Sequence, residues 1–523
     1  MTTPLPPMMT AARFAAAQAA MTRIVGKDWV FFEATRLNGY GDHFAMRDPA
    51  LHAASGAVCP ASVEQVQRVL AVAREYGIPV WTVSTGRNLG YGAAAPRKPG
   101  CIVIDMKRMN RIIEVNEKHG YAVVEAGVSY FDLYRHLRKI GSKLWIDCAA
   151  PGWGGVVGNM LDRGVGYTPF GEHLMFQCGM QVVLSDGSVI ETGLGSQPGR
   201  RAQHTYKYGR GPMMDGLFTQ SNFGVVTRVG VHLMPEPPGY RPYMVSFPRE
   251  EDLEQVIELL RPLKLAMLVP NAATTTELHW EAAAQVTRAE YYQGPAPLPP
   301  SARRRLMDDL QCGNWNFYGA LYGSEREMDN AWQILEGEFR KVAGARFYFE
   351  KDKRGQPAFE YRAKLMRGEP NMTEFNTLNW IPNGAHVGFG PVIPVDGRIA
   401  QEQYEFVRDA ANRRGFDYNG EFIIGWRDMH HIFMPIFPRD DEARKAEMVA
   451  LLDELYTEAE RRAQGIYRCH LDYMDRVAAM YSWNDGALAR FNHRLKAALD
   501  ETGLLAPGKS GIWPASGPGR RTA

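Results

Sequence analysis

The stretch STGRNLGYG, Ser84 to Gly92, concentrates residues that can do chemistry. Its glycines let the backbone turn tightly and bring N–H groups close to a ligand, which suits a pyrophosphate. It is neither the G-x-G-x-x-G fingerprint nor a P-loop, since no G-K-[ST] follows. On the glycines alone, a tight turn after a buried strand is an equal reading. A second concentration is GNMLDRGVGYTP, for which a loop held by its own Asp–Arg pair is the plainer account. His386, in PNGAHVGF, stands alone, and a lone histidine beside a strand is more often a satisfied core or surface residue. The adjacent Tyr467-Arg468 reads either as an edge salt bridge or as a phenol and a guanidinium aimed at one anionic oxygen.

These residues need elements to hold them. Val63, Val66, Val69, Leu70 and Ala73 recur at helical spacing, and Gly77 with Pro79 ends that helix. PVWTVS and CIVID read as strands on either side of the glycine-rich loop. YAVVEAGV is a further strand, followed by a helix with Ser129 at its N-cap. VVLSDGSVIETG, with Asp186-Gly187 at its centre, is a hairpin. PEPPGYRP, Pro235 to Pro242, marks a change of composition and a plausible linker. Beyond it, amphipathic helices alternate with short strands such as ARFYFE and EFIIGW, the pattern of an α+β domain on a mainly antiparallel sheet. LLAPGKSGIW, near the C-terminus, reads as an ordered, loop-rich tail.

The chain has 523 residues, more than one core usually serves. Its net charge of +2 gives no reason to expect nucleic acid or an anionic membrane as partner. The six cysteines are scattered without a C-x-x-C pair, which argues against a zinc site and a disulfide scaffold and favours a reducing compartment. The first residues lack a basic n-region and a leucine-rich h-region, so an amphipathic helix is expected there. No stretch approaches a membrane span. The expected location is the cytoplasm, with a periplasmic location beside a partner subunit as the alternative.

WTVSTGRNLGYGAAAP, GWGGVVGNMLDRGVGYTPFGEH, FTQSNFGVVT, RDMHH, IYR and LLAPGKSGIW occur in this order, and together the chain resembles the vanillyl alcohol oxidase and p-cresol methylhydroxylase family of flavoproteins. The resemblance runs from about Trp29 to Trp513. It implies an α+β, two-domain FAD-binding (PCMH-type) flavoprotein with an α+β cap domain over the flavin. Residues 1–238 and 467–523 would form the FAD-binding domain and 239–466 the cap.

On that resemblance, Ser84, Thr85, Gly86, Arg87 and Asn88 wrap the FAD pyrophosphate. Gly158, Asn159, Asp162, Arg163 and Gly224 line the rest of the cofactor. His386 matches the histidine that oxidases of this family link to the flavin 8α-methyl carbon, so FAD is expected to be covalent, 8α-histidyl. The flavocytochrome branch uses a tyrosine instead, and that position is Leu378 here. Tyr91, Tyr467 and Arg468 match the family's phenolate clamp. The aspartate that the oxidase branch carries near flavin N5 is replaced by Ala150. Glu421, in GEFIIGWRDMHH, matches the glutamate of the flavocytochrome branch; Glu374 and His430 match further active-site positions. Asp147 is a weaker substitute for the missing aspartate.

The activity implied is oxidation or hydroxylation of a 4-alkylphenol or 4-hydroxybenzylic alcohol at the benzylic carbon, through a p-quinone methide. Dioxygen or a cytochrome c-type protein would reoxidise the flavin, and a homodimer is expected. Two rivals are a flavin oxidase of the same fold for a hydroxy acid or sugar, and an aromatic-binding flavoprotein whose catalysis is impaired with the aspartate gone.

Overall fold

Helix Val63–Tyr76 opens at Ser62, whose side chain accepts from the Gln65 N–H, and closes at Gly77 in the left-handed region (φ +70°). Val66, Val69, Leu70 and Ala73 form its buried stripe. Buried strands on either side, Gly56–Val58, Ile102–Asp105 and Val80–Val83, pair in parallel in that order. The computed structural model describes residues 3–517 and 520. At the open edge of this small sheet the C-terminal chain returns: Val80 N–H donates to Leu504 and Ala506 N–H to Val80, at 2.9 and 2.7 Å.

The next layer is a five-stranded antiparallel sheet in the order Ile112–Asn116, Tyr121–Glu125, Val225–His232, Gln177–Val183, Val189–Glu191. The expected hairpin is its edge, with Val183 opposite Val189. The N-terminal helix, Ala11–Val25, is amphipathic as expected: Phe14, Ala17, Met21 and Val25 join the same core.

Residues 240–466 supply an eight-stranded antiparallel sheet. Helices Asp252–Leu265, Glu325–Phe339, Gly397–Arg413 and Glu442–Arg461 cover one face through a core that includes Phe317, Phe422 and Ile424. Side chains alternate across a strand. In Gly420–Ile424, Phe422 and Ile424 therefore enter the helix-covered core, while Glu421 and Ile423 face a cavity between this sheet and the two N-terminal layers.

The last strand of the sheet, Gly465–Ile466, is short; from Tyr467 the chain leaves the sheet, held by a 2.7 Å bond from Tyr467 N–H to the Gly390 carbonyl. The segment preceding the C-terminal tail is helical, with Met474–Ala479 and Trp483–Leu499. Among the described residues no helix is long and apolar enough to cross a membrane.

Candidate active site

The glycine-rich loop lies directly after strand Val80–Val83. Gly86, Gly90 and Gly92 all have positive φ, a conformation that costs other residues energy. At Gly90 the demand is also steric: a Cβ there would stand 2.4 Å from the His386 ring. Helix Val156–Leu161 runs up to the same loop so closely that a Cβ on Gly155 or Gly158 would strike the Ser84 side chain. The result is a backbone-lined cavity of about 330 Å³, within the usual range for a ligand site. Ser84, Thr85, Gly86, Arg87, Asn88, Gly158, Asn159, Asp162 and Gly224 all line it.

Arg163 does not. It turns away in a left-handed conformation (φ +53°) and its Nε donates to Thr219 Oγ1 at 3.1 Å. The Asp162–Arg163 pair that the sequence suggested is not formed either, because Asp162 is ion-paired with Lys509 of the returning C-terminal segment at 2.9 Å. Lys509 and Arg468 outweigh the effect of burial and hold the Asp162 carboxyl below its ordinary range.

His386 sits on strand Gly384–His386, which pairs with Ile436–Pro438. The imidazole is buried against Phe44, with ring centroids 5.4 Å apart, and its Nδ1 has no protein partner. Burial pushes its pKa down to about 4, with Asp42 pulling the other way. It is therefore neutral at physiological pH, the form in which a ring nitrogen is nucleophilic.

Tyr91, Tyr467 and Arg468 line the cavity. Arg468 is held by two backbone carbonyls: Nε donates to Asp162 at 2.9 Å and Nη2 to Asn159 at 3.2 Å, leaving further N–H groups for a ligand. Its guanidinium carbon lies 4.9 Å from the Tyr467 ring centroid. Burial pushes the Tyr91 phenol up to about 12 and raises Tyr467 too, against the pull of Arg468. Both tyrosines are thus hydrogen-bond donors at neutral pH, beside a permanent cation. His430 lies behind this group rather than in it: its ring stacks on Tyr467 at 4.3 Å and its Nε2 is 3.3 Å from Asp428.

Glu374, Glu421 and Tyr167 line the same cavity, with Trp280, Ile423, Ile432 and Met434 as an apolar wall against which Tyr467 also packs. Burial pushes Glu374 up to about 7 and Glu421 up to about 8, Glu374 adding to the effect on Glu421 while Arg362 opposes it on both. A carboxyl poised near neutrality can act as general base. Ala149 and Ala150 also line the cavity and bring no proton acceptor. Asp147 is no substitute. It faces away, bonded to His173 Nε2 at 2.6 Å and to the Thr168 N–H at 2.7 Å. Sequence reasoning missed Tyr167, Trp280, Arg362 and Lys509. Tyr167 and Lys509 lie inside strings already singled out, and Arg362 lies in YRAKLMRGEPNMTEF, a stretch that resembles the flavocytochrome branch; Trp280 carried no signal.

Such a cavity, with its glycine cradle and unpartnered buried imidazole, suits a flavin nucleotide. Residues 54–193 match the family model described as FAD binding domain, and residues 319–510 that of FAD linked oxidases, C-terminal domain. The protein is an FAD-dependent oxidoreductase of the FAD-linked oxidase class. The chain is 38% identical over 511 residues to the 4-cresol dehydrogenase [hydroxylating] flavoprotein subunit of Pseudomonas putida, covering 97% of both chains. It superimposes on 4-ethylphenol oxidase from Gulosibacter chungangensis with a TM-score of 0.96 at 39% identity, covering 98% of this chain and 99% of that one. For substrate-bound p-cresol methylhydroxylase the TM-score is 0.95 at 38% identity, covering 97% and 99%. The chain belongs to the vanillyl alcohol oxidase and p-cresol methylhydroxylase family of flavoproteins.

Proposed function

We propose that this protein oxidises para-substituted phenols, 4-alkylphenols or 4-hydroxybenzylic alcohols, at the benzylic carbon. The observation that supports this reading is one cavity lined both by Tyr91, Tyr467 and Arg468 and by two buried carboxyls, Glu374 and Glu421. FAD would be held by Ser84 to Asn88, Gly158, Asn159, Asp162 and Gly224, with His386 bonded to its 8α carbon, and supplies the hydride acceptor. Residues 1–238 and 467–523 serve as its domain and 239–466 as the cap.

Arg468 and the two tyrosines stabilise the substrate as its phenolate. With the ring oxygen ionised, loss of hydride from the benzylic carbon leaves a neutral p-quinone methide. Trp280, Ile423, Ile432 and Met434 pack against the substrate and limit water. Glu421 takes a proton from the water that attacks the benzylic carbon, so a 4-alkylphenol gives a benzylic alcohol. A sugar, which has no anionic oxygen, gains no comparable pairing with Arg468.

The test is a panel of 4-alkylphenols, vanillyl alcohol and their methyl ethers, assayed with dioxygen and with cytochrome c as acceptors. Phenols should bleach the flavin anaerobically and ethers should not; an ether that reacts comparably overturns phenolate formation. The faster acceptor distinguishes an oxidase from a dehydrogenase that delivers electrons to a partner. Denatured protein should retain its yellow colour, and His386→Ala should release it. Acid release of FAD from the unaltered protein overturns the histidyl link.

A further inference from the structure

Behind the carboxyls that line the cavity, four elements bring together charges that the reaction described above does not use. Arg362, on helix Pro357–Leu365, is 1% exposed. Its Nη1 donates to the Ala358 carbonyl at 2.9 Å and lies 3.1 Å from Glu281 Oε1. Glu281 accepts two further bonds, from Thr276 Oγ1 at 2.6 Å and from the Tyr318 hydroxyl at 2.7 Å. The guanidinium is flanked by the rings of Tyr318 and Tyr361, 4.4 and 4.6 Å from their centroids. Its Nη2, equally buried, has no protein partner. Thr276 stands directly opposite Glu421 in the sheet, so the ion pair and the carboxyl belong to adjoining strands and their connections.

A buried guanidinium clamped on one edge and unsatisfied on the other is a costly arrangement. It makes sense if its charge acts beyond its partner. Glu374 and Glu421 are the carboxyls within its field, and it opposes the burial that would neutralise them. Resting on the reading of Glu421 as base, we propose that Arg362, locked by Glu281, is a positioning residue that keeps one of the two carboxyls lining the cavity, Glu374 and Glu421, ionised. The groups facing these carboxyls are Arg362, Glu281, Tyr361, Tyr418 and Tyr167, the last bonded to Glu374.

The ionised carboxyl accepts the proton of the attacking water. The water oxygen bonds to the benzylic carbon, and the exocyclic double-bond electrons return through the ring to the oxygen held at Arg468. The carboxyl then gives this proton to solvent. Without the cation, burial and mutual repulsion would leave both carboxyls protonated and no base.

The experiment measures benzylic alcohol formation from 4-ethylphenol by the holoenzyme between about pH 6 and pH 9, with flavin reduction followed in parallel. A nearby opposite charge shifts a carboxyl by roughly 1–3 units. Arg362→Met should therefore move the acid limb of alcohol formation up by about one unit or more, an approximately tenfold loss at a pH on that limb. Flavin reduction should fall by less, and Arg362→Lys should recover most of the shift. Glu281→Gln, which frees the guanidinium, should move the limb down. An unmoved limb in Arg362→Met, or an upward shift in Glu281→Gln, overturns the proposal. Should Arg362→Met not fold, Glu281→Gln decides alone. Glu421→Gln separates the two readings: if it leaves the limb and the alcohol yield intact, the base assignment fails first; if it abolishes them while Arg362→Met changes nothing, only the role of Arg362 fails.

Discussion

The two functional groups that line the cavity are built by opposite means. At the clamp, loops from both termini meet: Tyr91 comes from the glycine-rich turn, Arg468 and Lys509 from the chain after residue 466, and backbone carbonyls of Asn159 and Asp162 hold the guanidinium. At the carboxyls, Glu421 is on a central strand of the eight-stranded sheet, with a buried ion pair behind it. One group is cationic and rich in donors, which suits an anion. The other has carboxyls raised towards neutrality, which suits proton transfer. Charge stabilisation and proton acceptance thus fall to different residues, and each can be disturbed alone.

The largest effect is expected at the carboxyls. A positioned general base contributes typically 10²–10⁴-fold, and Glu421→Gln should depress hydroxylation of 4-ethylphenol by about that factor while single-turnover flavin reduction falls less. Adding Ala150→Asp should restore part of the alcohol, with the opposite benzylic configuration enriched. Chiral chromatography of the product checks both; an unchanged rate and configuration in Glu421→Gln would make Glu421 structural.

At the clamp the expected loss is smaller. A hydrogen bond to a charged group contributes about 1.5–3 kcal/mol, so Arg468→Ala should weaken binding of a phenolic inhibitor about tenfold to a hundredfold. The bound inhibitor should also lose the phenolate absorbance it shows below its solution pKa. Equal affinity and spectrum in the variant would remove Arg468 from the clamp.

The smallest effect on chemistry is expected from Asp147→Asn. Because Asp147 is bonded to His173 and Thr168, alcohol formation should stay within about twofold of the unaltered rate while the melting temperature falls by roughly 1 °C for each kcal/mol lost, the shift expected for a chain of this length. A hydroxylation defect as large as that of Glu421→Gln would return Asp147 to the active site.

Much of the clamp was legible because its parts are contiguous strings. STGRNLGYG and IYR carry their residue types side by side, and positive φ at Gly86, Gly90 and Gly92 is a local demand that glycine meets. Within GNMLDRG, however, local reasoning paired Asp162 with its neighbour Arg163, and the real partner is Lys509. His430 matched an active-site position and sits behind Tyr467 instead.

The amino-acid sequence determined by itself the glycine cradle, the helix caps, the sheet alternation that turns Glu421 away from the helices, and the kinship that predicts a flavin. These depend on residue type and short spacing, and local backbone preferences decide them. Only the tertiary structure decided which carboxyls share an environment. Glu281, Arg362, Glu374 and Glu421 come from separate elements, and their coupling arises from burial in one low-dielectric wall. No spacing in the chain encodes that distance; it follows from how the helices and the sheet pack.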